Sequence, residues 1–316
     1  MNKHFPLLVA ISLIWGSQFF FNEIALAALP PLTIAFVRSA LAALTLAVIF
    51  HFSRERREVA AAPTRKIPFM TYFWIAVVDA TLPFFLMAWG QRQLESGTAA
   101  ILNGTIPLFA LVLTPLIIKG TKLTLGNVLS IGLGFVSVLV LNAASLQHGF
   151  GGNMVPMLAM LGGAGCFAGG LVLIKRLDSP TFITTARNIL FASTLQLLPF
   201  ALWVDRPWAL TWSLKVVGAL IFLGVVNAGI AYLLYVVLIA KAGPTFASLS
   251  NYLVPMVGMS LGIFLLGEPF HPISIVALLI LFVALSLNGW TPRKQRQPEQ
   301  QKAGGAAESL APVTKP

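Results

Sequence analysis

The sequence predicts an all-α polytopic membrane protein with ten transmembrane helices arranged as two inverted five-helix repeats. Three observations support this fold class: the composition, the length of the apolar segments and an internal repeat. Of the 316 residues, 57% are hydrophobic and 10% are charged, whereas a soluble domain carries about 25% charged residues. The mean hydropathy is +0.86. These values exclude a disordered chain and favour a protein that lies in a bilayer.

Ten apolar segments have about the 20-residue length that a helix needs to cross a bilayer. They run without the alternation that is typical of a transmembrane β-strand, and several begin near a proline, as helices often do. We predict helices at 5–24, 32–52, 67–91, 96–118, 124–144, 154–174, 181–204, 214–240, 245–266 and 271–290. The polar segment 291–316 is predicted to be a disordered cytoplasmic tail. A cleaved signal peptide fits the first segment only loosely, because polar residues interrupt it.

The charges in the loops predict the orientation of the helices, because cytoplasmic loops are enriched in Lys and Arg. With a cytoplasmic N-terminus, sixteen Lys and Arg residues fall in inside segments and three, Arg92, Arg206 and Lys215, fall in outside loops. We therefore expect both termini in the cytoplasm and the protein in the plasma membrane, specifically a bacterial inner membrane. The same distribution argues against a nucleic-acid partner despite the net charge of +11.

An internal repeat relates the two halves of the chain. A shift of 149 residues aligns Pro31–Leu46 with Pro180–Leu195, where seven of sixteen positions are identical. One of these identities is Arg38 with Arg187. A shift of 148 pairs Asp79 with Asn227, Phe84 with Tyr232, Asn103 with Asn251 and Pro107 with Pro255.

This repeat predicts two five-helix domains, residues 6–142 and 154–289. Because five is odd, the second half enters the membrane from the opposite side. Inverted repeats are typical of secondary transporters, whose substrate site lies near the midplane between the halves. The two halves can then exchange conformations, which favours alternating access.

Short motifs add a resemblance to a known family. They are Leu13-Ile14-Trp15-Gly16, Phe36-Val37-Arg38, Ser250-Asn251-Tyr252-Leu253-Val254-Pro255 and Leu266-Gly267-Glu268-Pro269. With the ten-helix plan, they resemble the drug/metabolite transporter superfamily, EamA type, over nearly all of the chain except the tail. The resemblance implies export of amino acids, other metabolites or drugs from the cytoplasm. The first-half counterpart of the last motif is Lys119-Gly120-Thr121-Lys122, which has no acidic residue.

Asp79 is the only carboxylate deep within a predicted helix, about twelve residues into the segment 67–91. A charged carboxylate at that depth costs about 2.5–3.5 kcal/mol on insertion scales. Asp79 is therefore either a group that binds and releases a proton, a counter-ion for a substrate amine, or a protonated structural residue.

Further polar pairs recur in the two halves. Arg38 and Arg187 are candidate gate residues or contacts for a substrate carboxylate; alternatively, they extend to the lipid headgroups or bond a neighbouring helix. Asn103 and Asn251 precede Pro107 and Pro255, which remove a helical hydrogen bond and are predicted to break both helices beside a binding site. The alternative for the two asparagines is an interhelical hydrogen bond.

Aromatic residues within the predicted spans are candidates for the wall of a pocket, or they pack in the core. They are Trp15, Phe19, Trp74, Phe84 and Tyr232. The predicted substrate and coupling set is Asp79, Asn103, Asn227, Asn251, Tyr232, Trp15, Phe19 and Phe84.

Other classes of protein fit the sequence less well. The single cysteine, Cys166, excludes an internal disulfide and a multi-cysteine metal site, and we predict no metal or cofactor. An intramembrane enzyme is disfavoured because the four histidines lie at or beyond the ends of the spans. A channel is disfavoured because antiparallel halves suit alternating access better. We therefore predict a secondary transporter that exports an amino acid or related metabolite; a small organic cation or drug is the alternative. Protons are a candidate partner, and the sequence does not specify the oligomeric state.

Overall fold

The computed structural model describes residues 4–53, 55, 67–118, 120, 123–141, 154–177, 182–242 and 250–288. In this part of the chain the structure is helical and contains no β-strand. The α-helices are α1 (Phe5–Gly16), α2 (Gln18–Leu26), α3 (Pro31–Phe52), α4 (Phe69–Ala76), α5 (Leu82–Gln91), α6 (Ser96–Asn103), α7 (Ile106–Ile117), α8 (Leu125–Leu141), α9 (Met154–Leu177), α10 (Phe182–Phe200), α11 (Leu214–Ile221), α12 (Ala231–Ala242), α13 (Ser250–Leu266) and α14 (Pro272–Asn288). The predicted tail 291–316 and most of the predicted loop 53–66 lie outside the described residues.

Seven helical stretches are long and apolar enough to cross a membrane. They are Phe5–Leu26, Pro31–Phe52, Phe69–Gln91, Ser96–Ile117, Met154–Leu177, Phe182–Asp205 and Leu214–Tyr235. Three shorter apolar helices, Leu125–Leu141, Leu253–Leu266 and Pro272–Leu287, fall within the other three predicted segments. A multi-pass, all-helical architecture is therefore confirmed, whereas ten spans and an inverted topology stay predictions.

Two of the three π-helical segments in the described residues occupy corresponding positions in the two halves, and the third is Ala201–Asp205. Val77–Thr81 joins α4 to α5 and contains Asp79, and Phe222–Ile230 joins α11 to α12 and contains Asn227. Under the 148-residue shift, the first segment falls within the second. Such wide turns are rare and occur frequently at functional sites. Both members of the Asp79/Asn227 pair thus lie where the regular helix is interrupted.

The predicted break before Pro107 is present, but the matching break before Pro255 is not. A turn at Gly104 and Thr105 separates α6 from α7, whereas α13 continues as an α-helix through Pro255. The difference has a local cause, because glycine has a low helix propensity and the Thr105 hydroxyl donates to the Leu102 carbonyl at 2.6 Å. The corresponding second-half positions are Tyr252 and Leu253, which favour a continuous helix.

Glycines allow the helices around the centre of the bundle to approach closely. A Cβ at Gly170 of α9 would lie 2.5 Å from the Cα of Asp79, so α9 contacts the Val77–Thr81 segment directly. A Cβ at Gly258 of α13 would lie 2.5 Å from that of Ala100 on α6. Phe19 packs in the same apolar cluster as Ala100 and is 2% exposed.

Candidate functional site

A cavity of about 270 Å³ lies where helices from the two halves meet. Ligand pockets usually have volumes of about 300–1,000 Å³, so this cavity fits a small solute. Its wall is mostly apolar and aromatic, and five of its polar side chains are Gln18, Arg38, Asp79, Asn103 and Asn227. A mostly apolar wall with a few polar groups is typical of small-molecule sites.

Eight of the twelve residues predicted for the site line this cavity. They are Trp15, Arg38, Asp79, Phe84, Asn103, Pro107, Asn227 and Tyr232. Phe19, Arg187 and Pro255 are not part of the lining. Asn251 lies in α13, but its side chain is outside the described part of the structure.

Arg38 lines the cavity and forms hydrogen bonds to residues of both halves. Its Nη2 donates to Gln18 Oε1 at 3.0 Å and to Asn227 Oδ1 at 2.8 Å. Asn227 is itself held by a bond from its Nδ2 to the carbonyl of Ile14, at 3.0 Å. The guanidinium lies 4.2 Å from the centroid of the Phe84 ring, an arrangement that stabilises a cation. These contacts fix the orientation of a positive charge at the cavity.

The Nε of Arg38 is buried and has no hydrogen-bond partner among the described residues. A guanidinium has five N–H donors, so Arg38 keeps donor capacity beyond its bonds to Gln18 and Asn227. A buried donor without a partner costs free energy. A ligand oxygen that accepted from it would recover that energy.

Asp79 presents the opposite charge type to the same cavity. Its Oδ1 is buried and has no hydrogen-bond partner in the described part of the chain. Within the described residues, the one ion pair closer than 4.0 Å is His271 with Glu95, at 3.2 Å. Arg38 and Asp79 therefore line one cavity without pairing with each other. An unpaired carboxylate in an apolar wall is a strong site for a proton or for a ligand cation.

The aromatic part of the wall includes a residue that the sequence reasoning did not select. Tyr235 lies three residues after Tyr232, and its ring centroid is 4.8 Å from that of Trp15. Gln18 was also not selected, although it lies three residues after Trp15 on the next helical segment. In both cases, a spacing of one helical turn from a selected residue was the available signal.

Arg187 has a different environment from its counterpart Arg38. Its Nε and Nη2 donate to the side chain of the adjacent Asn188 at 3.2 and 3.0 Å, and its guanidinium lies 4.6 Å from the centroid of the Phe50 ring. Trp74 also lies away from the cavity and is 65% exposed on the outer surface of the bundle. Neither residue contributes to the cavity wall.

Two carboxylates hold the starts of α3 and α10. Asp205 accepts hydrogen bonds from the N–H and the Oγ1 of Thr33, both at 2.8 Å. Glu55 accepts from the N–H and the Oγ1 of Thr184 at 2.9 and 2.7 Å, and from the N–H of Ile183 at 3.0 Å. Carboxylates at helix starts satisfy free N–H groups and favour the positive end of the helix dipole. Each half thus supplies the carboxylate that caps a helix of the other half.

Comparisons with known proteins agree with this architecture. The sequence model of the EamA-like transporter family matches residues 4–143 and 154–290. An uncharacterized transporter of Archaeoglobus fulgidus is 24% identical over 269 residues, which are 85% of this chain and 92% of the relative. The uncharacterized inner membrane transporter YedA of Escherichia coli is 28% identical over 285 residues, which are 90% of this chain and 89% of YedA.

A solved crystal structure has the same fold. It superposes with a TM-score of 0.63 and 14% identity, and the match covers 89% of this chain and 94% of the other. Because the family model matches most of the chain in two segments, the resemblance noted in the sequence is confirmed. The chain belongs to the EamA-like transporter family and is a multi-pass membrane transporter, not an enzyme.

Proposed function

We propose that the protein exports an amino acid or related metabolite by alternating access, with the cavity as its substrate site. One observation carries this proposal: Arg38 and Asp79 line the same cavity without pairing with each other. A zwitterion has the complementary charges. Its carboxylate would accept from the guanidinium of Arg38, and its ammonium would lie against the carboxylate of Asp79.

The cavity wall also supports a preference for a substrate with an apolar part. Trp15, Phe84, Tyr232 and Tyr235 supply aromatic surface around the two charged groups. The amide of Asn103 lies at the break between α6 and α7 and supplies a further polar contact. A small amino acid or a related metabolite presents this combination of one apolar and two charged groups.

The inverted repeat supplies the mechanism. The family model matches the chain twice, and the π-helical segments with Asp79 and Asn227 correspond under the same shift. We infer ten spans in two inverted domains, 6–142 and 154–289, with both termini in the cytoplasm of a bacterium. Two related halves in opposite orientation give inward-open and outward-open states of similar energy, as in other repeat transporters.

Asp79 is the proposed coupling group. A carboxylate that binds either a proton or the substrate ammonium exchanges one for the other across the membrane. Protons that enter would then drive the export of the solute. The free Oδ1 of Asp79 supports this role, because no described side chain competes for it.

Transport by the purified protein in liposomes tests this proposal. Liposomes would be loaded with labelled amino acids, and flux would be measured with and without an imposed pH gradient. We expect saturable flux that the gradient accelerates for the wild type, and flux without that acceleration for Asp79→Asn. Wild-type flux that ignores the gradient, or an Asp79→Asn variant with unchanged proton sensitivity, would remove the coupling role.

The aromatic residues around Asp79 favour a second candidate, a small organic cation. Aromatic faces bind cations, and Nη2 of Arg38 already donates to Gln18 and Asn227, which leaves fewer donors for a substrate carboxylate. An Arg38→Met variant separates the candidates, because it removes the carboxylate contact and keeps Asp79. If this variant keeps cation flux and loses amino-acid flux, then the wild type transports both classes of substrate. Unchanged amino-acid flux in the variant would exclude the zwitterion proposal.

A further inference from the structure

Glu268 connects the second half of the chain to a helix of the first half. Its Oε1 accepts from the N–H of Ser96 at 2.8 Å, and its Oε2 accepts from the N–H of Gly97 at 3.4 Å. Ser96 and Gly97 are the first two residues of α6, whose N–H groups have no partner within the helix. A carboxylate at this position is stabilised by those donors and by the helix dipole.

Two glycines place Glu268 at this helix start. Gly267 has φ +71°, a left-handed conformation that ends α13, and it turns the chain so that the N–H of Glu268 donates to the carbonyl of Gly262 at 3.1 Å. Gly262 provides the space for the side chain, because a Cβ there would collide with Oε2 of Glu268. The turn at Gly267 and the absence of a side chain at Gly262 thus both allow the contact between Glu268 and the start of α6.

A second contact runs beside the first one. His271 and Glu95 are 3.2 Å apart, with side chains that are 49% and 37% exposed. They bridge the same two segments, one residue before α6 and three residues after Glu268. An exposed pair contributes little, so the carboxylate of Glu268 is the stronger of the two bridges.

In the sequence, the repeat does not carry the acidic residue of this bridge over to the first half. Gly120, the counterpart of Gly267, keeps a positive φ of +90°. The residue that follows it is Thr121 instead of an acidic residue, and the same 147-residue shift places Pro115 at the position of Gly262. The first-half motif therefore has no carboxylate, and its counterpart of Gly262 carries a side chain.

The predicted orientation places this bridge at the outer face of the membrane, because α6 begins there and α13 ends there.

We propose that Glu268 is a one-sided latch that holds the outer end of the cavity closed and so favours the inward-open state. This role rests on the proposed alternating access. Opening the outer end requires α6 to separate from the turn after α13, which breaks both bonds to Glu268. The caps at Asp205 and Glu55 hold the two ends of the α3–α10 pair alike, whereas the first-half residue that corresponds to Glu268 is Thr121. The bridge at Glu268 is therefore the asymmetric one, and a carrier at rest keeps its cavity available to the cytoplasm. Glu268 is a positioning residue and does not contact the substrate.

Labelling of the cavity from each side of the membrane tests the latch. The reporter is Ala110→Cys, which lines the cavity, in a Cys166→Ala background. A membrane-impermeant maleimide is applied outside intact cells and, separately, to inverted vesicles. For Glu268→Ala we expect the ratio of outside to inside labelling to rise about five-fold, the size of a lost helix-capping carboxylate. Glu268→Gln keeps an acceptor oxygen and should give a smaller rise.

Asp205→Asn is the matched control. It weakens a carboxylate cap of similar geometry at the start of α3. The α3–α10 pair has such a cap at each of its two ends, so it does not hold one end of the bundle in preference to the other. We expect it to lower the melting temperature without changing the labelling ratio. Thermal unfolding shows which variants are folded. If Glu268→Ala does not fold, the labelling ratio of Glu268→Gln is used to test the latch.

The outcomes separate this inference from the proposed function. A folded Glu268 variant that leaves the ratio unchanged, or that raises labelling equally from both sides, would overturn the latch. The wild-type reporter should shift between outside and inside labelling when transported substrate is added. If it reacts from one side only under every condition, alternating access itself fails.

Discussion

Arg38 and Arg187 occupy corresponding positions in the two halves, but their surroundings differ. Arg38 reaches across to Gln18 and Asn227 at the cavity, whereas Arg187 bonds to its own neighbour Asn188. The counterpart of Gln18 under the 149-residue shift is a phenylalanine, Phe167, which offers no acceptor. The repeat therefore sets where the two arginines lie along their helices, and the neighbouring side chains decide which of them faces the cavity.

The polar residues of the two repeat-related π-helical segments, Asp79 and Asn227, show the same division of roles. Asp79 leaves a carboxylate oxygen free, whereas the amide of Asn227 accepts from Arg38 with its oxygen and donates to Ile14 with its nitrogen. An amide can donate and accept, so it orients the arginine without adding a charge. One half thus supplies both charged groups of the candidate site, and the other half positions one of them.

The largest expected difference is between the two arginine variants. Arg38→Met should lower kcat/KM for a zwitterionic substrate by about 100-fold, because a charge-assisted contact contributes up to about 3 kcal/mol. Arg187→Met should change it by less than about two-fold, since its contacts are local and lie outside the cavity. Flux measured in liposomes for both variants checks this. Equal losses would mean that the two halves share the substrate site symmetrically.

A smaller effect is expected when the support of Arg38 is removed. Asn227→Ala removes one acceptor for the guanidinium, and we expect KM to rise about five-fold, the size of one lost hydrogen bond. The side chain of Asn188, which supports Arg187, is the control position. If Asn188→Ala raises KM as much as Asn227→Ala does, then the division between the halves is not real.

The smallest effects are expected where the halves are alike. Asp205→Asn and Glu55→Gln each weaken one helix cap, at a cost of about 1 kcal/mol, or about 2 °C in Tm for a chain of this size. Thermal unfolding in detergent measures both variants. A much larger loss for one of them would show that the two ends of the α3–α10 pair are not equivalent.

Much of the site could be predicted because polar residues are conspicuous in apolar helices and because the repeat pairs them. Asp79, Arg38, Asn103 and Asn227 were found in this way, and they all line the cavity. The direction of a side chain could not be predicted, since Arg187 has the same spacing from its proline as Arg38 and still faces its neighbour. The continuous helix through Pro255 could have been predicted locally, because the second half has Tyr252 and Leu253 where the first half has Gly104 and Thr105.

Contacts between the halves were beyond the reach of sequence patterns. Glu268 was noted as an acidic residue without a first-half counterpart, but its partners lie 172 and 171 residues away in the chain. No local spacing predicts such a pairing, because it depends on how complete helices dock. The identity of the family could be predicted from short motifs, and the sequence comparison confirmed it.

Because each half supplies the carboxylate that caps a helix of the other half, the two caps become available at different times during synthesis of the chain. Thr33 and Asp205 are separated by 172 residues, and Glu55 and Thr184 by 129. The start of α3 is therefore synthesised and inserted long before its cap exists, whereas the start of α10 meets a cap that is already present. The two caps therefore form in order: the cap of α10 can form as soon as α10 is inserted, whereas the cap of α3 forms only when the last residue of the Phe182–Asp205 stretch is in place.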